Sequence, residues 1–179
     1  YGQRKQVLDG KDLKEVILNM TRSAIADHVA HAFGEQTALD EAGFHDMLSG
    51  LEGLYFPKGA FQFNEEELSE KTEENFDELF YEAAVKTYDA REQVFTPAIT
   101  RELERVIMLR VVDEYWMDHI DAMDDLMQGI RLRAYANTDP VMAYKKESLS
   151  MFEEMISAIQ KETVRRMFSV RLKTNEEVK

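Results

Sequence analysis

The chain has 179 residues, with 22 Lys+Arg against 35 Asp+Glu, for a formal net charge of −13. Eight Gly and three Pro leave few residues for tight turns, which disfavours a sandwich, a barrel or a Gly-rich phosphate loop; the absence of Cys excludes a disulfide scaffold, a thiol nucleophile and a Cys-based zinc site. No apolar run is long enough to span a bilayer, the N-terminal Tyr-Gly-Gln-Arg-Lys-Gln lacks a signal-peptide core, and no nucleic-acid partner is expected of so acidic a chain.

Charge divides the chain unevenly. Residues 1–100 hold 9 basic and 20 acidic side chains, whereas 101–179 hold 13 and 15, with Thr96-Pro97 between two regions of different surface. In the first region, Asp12-Leu-Lys-Glu15 reads as a helix start, with Glu15 reaching back to the cap. Val16, Ile17, Met20, Ile25 and Val29 continue at near-helical spacing, and Gly34 offers a stop. Gly43, Gly50, Gly53, Pro57 and Gly59 predict short helices and loops. Asn64 before Glu65-Glu-Glu67 is a second start signal, and Leu68, Phe76, Leu79, Phe80, Ala83, Ala84 and Tyr88 predict one helix continuing from it. Nine acids and one Lys between Glu65 and Glu82 read as a solvated face of that helix.

The second region predicts a long helical hairpin. Thr96-Pro97 places a cap before a proline at the first helical position. Ile99, Leu103, Val106, Leu109, Val112, Trp116, Ile120, Met123 and Met127 then follow steps of three and four, with Gly129 as the expected close. Asp139-Pro140 repeats the device, and a second stripe runs through Tyr144, Phe152, Met155, Ile156, Ile159 and Met167. Two such arms joined by a short linker lie antiparallel to bury their stripes, each roughly 40 to 45 Å long. The final Lys173–Lys179 reads as a polar, frayed tail.

The predicted tip is Gly129-Ile-Arg-Leu-Arg-Ala-Tyr-Ala-Asn137-Thr-Asp139, unlike an ordinary polar loop. Arg131, Leu132, Arg133 and Tyr135 are the residue types that make interface contacts, since Tyr offers amphipathic area and Arg offers charge and stacking. Alternatively, Ile130, Leu132 and Tyr135 cap the hairpin's own core. Eight of the ten Met residues follow position 100, which suits either adaptable contact surface or core filling, with spacing favouring the core for Met123, Met127 and Met155.

Other chemistries find little support. His28-x-x-His31-x-x-x-Glu35 shares one helix face, but a lone face supplies too few metal ligands. Glu114, Asp118, Asp121 and Asp125, with His119 adjacent, read as a solvent-facing ladder; there is no Glu-x-x-His for a di-iron bundle. Neither Gly-rich nucleotide motif occurs, and no nucleophile–base pairing is suggested by spacing.

The segments Val106-Ile-Met-Leu-Arg-Val-Val-Asp-Glu-Tyr-Trp-Met-Asp-His-Ile120, Met123-Asp-Asp-Leu-Met-Gln-Gly-Ile-Arg-Leu-Arg-Ala-Tyr135, Asp139-Pro140 and Tyr144-Lys-Lys-Glu-Ser-Leu-Ser-Met-Phe152 resemble SecA, the motor ATPase family of bacterial protein translocation. The resemblance is specific from about Glu102 to Phe168 and looser over Asp12 to Phe95. It implies an all-α chain in which 1–11 end a scaffold helix, 12–95 form a helical wing domain, 96–172 form the two-helix finger of a helical scaffold domain, and 173–179 are tail. It also implies a piece of a longer protein without the nucleotide-binding motor domains. This chain would then be no enzyme and hold no cofactor or metal, ATP and Mg belonging to the motor domains. The implied partners are unfolded preprotein, the SecYEG channel and the SecA motor domains, at the cytoplasmic face of the bacterial plasma membrane. The tip residues Tyr135, Arg131, Leu132 and Arg133 would contact the preprotein, and the finger would help restrain ATP hydrolysis. The competing expectation is a structural adaptor that braces or inhibits neighbouring ATPase domains.

Overall fold

The computed structural model describes residues 13–134 and 140–170, with 133, 134 and 140 described by their backbone alone. Six helices make up its regular structure, and no strand occurs among the described residues: α1 (Leu13–Phe33), α2 (Glu41–Ser49), α3 (Glu65–Glu70), α4 (Glu73–Phe95), α5 (Pro97–Ala134) and α6 (Pro140–Ser169). The all-helical expectation and the long hairpin are both realised: α5 and α6 pack side by side in opposite directions. Glu114 meets Arg166 near the base and His119 meets Phe152 further out.

Helix α1 is the hub. It packs against α2, α4, α5 and α6, so its buried residues Ile17, Met20, Thr21, Ile25, Val29 and Phe33 cover a broad face, while Glu15, Asn19, Arg22, Ser23 and Asp27 remain exposed on the other. Gly34 ends it at φ 57°, its N–H donating to Ala30 O at 2.9 Å, as a left-handed C-terminal residue does. Asp12 lies outside the described residues. Beyond α2, the chain turns at Gly53 and Gly59, both at φ 82°. Those turns bring Phe56, Phe61 and Phe63 onto α4, and with Phe33, Phe44, Phe76 and Phe80 their rings stack, tilt or meet edge-on at 5.0–6.3 Å between centroids. Such contacts add roughly 0.5–1.5 kcal/mol each beyond area burial.

Three sequence expectations need correction. The acidic helix predicted from Asn64 onward breaks at Lys71, which adopts φ −88°, ψ 126°, and restarts at Glu73. Thr72 and Asn75 form a reciprocal capping box there, and this second cap ends the first helix after six residues. The acidic face itself is largely solvated, with Asp77 and Glu73 half-buried.

Gly129 does not close the first arm, because α5 continues to Ala134. Gly129 is absent from the residues with positive φ, and a helical Gly costs only about 1 kcal/mol against Ala, so neighbours that propagate the helix prevail.

The apolar stripe on α5 is displaced. The line facing α6 and the body runs through Thr100, Glu104, Met108, Val111 and Ile130, all buried, whereas Ile99, Val106, Trp116, Ile120 and Met127 are exposed on the neighbouring flank. The second stripe is nearer the mark: Met155, Ile159 and Met167 are buried, but Phe152 is exposed. Of the methionines assigned to the core by spacing, Met155 is buried, Met123 half-buried and Met127 exposed.

The junction between α4 and α5 is a single residue. Thr96 sits at φ 77°, ψ 150°, a strained conformation for a β-branched residue that costs on the order of 1–3 kcal/mol. Its hydroxyl accepts from Ile99 N at 3.4 Å, and its carbonyl accepts from Thr100 N at 3.0 Å and from the Thr100 hydroxyl at 2.8 Å, so the expected cap is made across an unusual corner.

Candidate functional site at the hairpin tip and base

A helix of 38 residues is about 57 Å long, so α5 carries its last turn far from the body that anchors its base. That last turn separates the candidate tip residues by face. Ile130 is buried in the hairpin, consistent with capping its core, whereas Leu132 is 73% exposed and Arg131 is exposed beside it. Arg133 belongs to the same turn by its backbone. Tyr135, the aromatic candidate, lies outside the described residues.

Midway along the arms, Trp116, His119 and Phe152 form a ring relay, with centroids 5.5 Å and 6.1 Å apart. Trp116 is 41% exposed and Met117 63%, so this part of the arm presents large apolar side chains beside an acidic row. The row is Glu114, Asp118, Asp121 and Asp125, all exposed as expected. Glu114 accepts from Arg166 across the hairpin at 2.9 Å. Arg166 also donates to Glu162, which Arg165 engages on its other side. Those guanidinium contacts, Arg165 foremost, hold the Glu162 carboxyl down at about 2.

The base is organised by one turn of α4. Tyr88 donates its hydroxyl to the Glu104 carboxylate, which is fully buried on α5. Glu92 accepts from Arg101, whose guanidinium lies 3.2 Å from Glu104, while Lys14 of α1 reaches Asp89 at 2.9 Å and Glu92 at 3.2 Å. Burial pushes the Glu104 carboxyl above its ordinary range, against the opposing pull of Tyr88 and Arg101. Burial also raises the Tyr88 phenol, with the Glu104 charge adding to it. On the same turn, Arg91 donates to Met167 O at 3.3 Å and to Val170 O, at and just past the end of α6.

Sequence reasoning missed this cluster. Its residues carry no signal along the chain, because the line Thr100, Glu104, Met108, Val111 is buried only through the packing of neighbouring helices, and once buried there the Glu104 charge requires a partner.

The His28–His31–Glu35 face is put to other use. His28 Nε2 hydrogen-bonds Met47 O at 2.9 Å at the end of α2, while His31 and Glu35 are exposed. Among the described residues no group of three or more His, Cys, Asp or Glu could hold a metal ion, and no helix is long and apolar enough to cross a membrane.

The family model of the SecA wing and scaffold domain matches residues 1–171. The chain belongs to the SecA wing and scaffold domain family. The match takes in the body as well as the hairpin, although the resemblance in sequence was specific only for the latter. Among the curated relatives, a protein translocase subunit SecA of Clostridium novyi is 43% identical over 178 residues, covering 99% of this chain and 21% of the relative. That of Acetivibrio thermocellus is 41% identical over 176 residues, covering 98% and 19%. The subunit SecA 1 of Clostridioides difficile is 42% identical over 179 residues, covering 100% and 19%. The chain thus spans about a fifth of the length of these relatives.

Proposed function

We propose that this chain is the wing-and-scaffold portion of a SecA-type protein translocase, and that its hairpin tip is a polypeptide-contacting element. The single observation that carries the reading is Leu132, a large apolar side chain left 73% exposed beside Arg131 at the far end of a 38-residue helix. An exposed Leu–Arg pair held at that reach combines the apolar and cationic contacts suited to an unfolded chain. Tyr135 and Arg133 complete the set in sequence. In the longer protein, the tip engages preprotein at the cytoplasmic mouth of the SecYEG channel, and the hairpin helps regulate ATP hydrolysis by motor domains that hold ATP and Mg. This portion contributes no catalytic group and binds no cofactor, and its membrane association is peripheral, through the channel.

Site-specific photocrosslinking tests the contact. A photoreactive residue at position 135 of the longer protein yields an adduct with a stalled preprotein; no adduct there overturns the reading. Replacing residues 129–138 by a short Gly-Ser linker tests it against a bracing role. Contact at the tip predicts lost translocation with the fold retained, whereas a brace predicts altered ATPase with translocation changing in proportion.

A further inference from the structure

One residue, Thr96, joins α4 to α5. A corner that short would relax toward ordinary dihedrals unless side chains on both helices held it. Those side chains straddle the corner as two rungs. Glu92 with Arg101 is the inner rung and Tyr88 with Glu104 the outer, one nested inside the other across Thr96. Lys14 ties the inner rung to α1 through Glu92 and Asp89, and Arg91 holds the end of the other arm through Met167 O and Val170 O.

We infer that the turn of α4 from Tyr88 to Glu92 is a polar latch that sets the hairpin's angle to the body, with Thr96 as its pivot. Both arms are gripped from this one turn, α5 by Tyr88 and Glu92 and α6 by Arg91. Polar contacts suit a latch because their strength depends steeply on direction, whereas apolar packing tolerates sliding. The Glu104 carboxylate, buried on the interior line of α5, is costly unless Tyr88 and Arg101 stay in register, so partial rotation is disfavoured and the corner is either closed or released. Geometry amplifies release: Arg101 to Ala134 is about 50 Å of helix, so a ten-degree turn at the corner carries the tip about 9 Å. The latch acts whatever the tip touches.

Distance measurement between two spin labels tests it. The chain contains no Cys, so Glu66→Cys on α3 and Asp125→Cys on α5, both exposed, are labelled uniquely. The parent pair gives one narrow distance distribution. Tyr88→Phe and Glu104→Gln, each keeping side-chain volume, are expected to widen or shift that distribution at least twofold in breadth while circular dichroism still reports the parent helicity. Glu102→Gln, which removes an exposed carboxylate bonded to Arg105 within α5, leaves it narrow. An unchanged distribution in both latch variants overturns the inference, as does equal broadening in Glu102→Gln. Loss of helicity in both latch variants also overturns it, since the groups would then serve general stability rather than the angle.

Discussion

The helical body and the hairpin bury their apolar residues to different depths. In the body, Phe33, Phe44, Phe76, Phe80, Ile17, Ile25 and Leu51 are essentially inaccessible, because α1 packs against four other helices and the 51–63 turns fold over α4. In the outer hairpin, Val111, Met155 and Ile159 form a small separate cluster, and large apolar side chains such as Trp116, Met117, Leu149 and Phe152 remain exposed. Two rods side by side can each bury only one stripe, whereas helices packed around a hub bury several. The lesson is that reach and depth trade against each other: the hairpin extends its far end at the expense of a core, and the body supplies the anchorage.

The largest expected effect would expose that contrast. Phe76→Ala leaves a hole among four rings and should destabilise the chain by about 3–5 kcal/mol in urea unfolding, with Ile159→Ala in the hairpin at about 2–3 kcal/mol. Equal costs would mean that the two regions are packed alike.

A second change probes the body alone. A Cβ at Gly50 would lie 2.5 Å from His28 Cε1, so Gly50→Ala must push the imidazole off Met47 O. The expected loss is about 1–3 kcal/mol, with the His28 ring resonances shifted in NMR and those of His119 in the hairpin unmoved.

The smallest effect is an acid titration of the hairpin. The folded Glu162 carboxyl, at about 2, lies below its ordinary 4.5, so its contribution is full above pH 4.5 and fades as pH falls through the folded value. Solvent screening limits this to at most about 1 kcal/mol, because Arg165 is more than half exposed. Stability of Glu162→Gln should lack that part of the slope between pH 5 and pH 2; an identical slope would place the acid sensitivity elsewhere.

Much of the local structure could be read from the chain. Gly34, Asn64, Thr96-Pro97 and Pro140 mark helix boundaries because a cap or a missing N–H acts within one turn. The restart at Thr72 was legible in principle, since Asn75 stands three residues on, but the acidic run around it looked like uninterrupted helix. Of the candidate site, Ile130 and Leu132 are alike in sequence, and only the packed arms separate the buried residue from the exposed one.

By itself, then, the sequence determined an all-helical chain, its long antiparallel arms, most of its caps and its kinship with SecA. Tertiary structure alone decided which flank of α5 is buried, where the aromatic core gathers, and that Tyr88, Glu92, Arg101 and Glu104 meet across the Thr96 corner. The reason is range. Caps and periodicity are set by residues within a turn of one another, whereas the buried side of a helix depends on where its neighbours lie, and a helix with apolar residues on two flanks can satisfy its pattern either way.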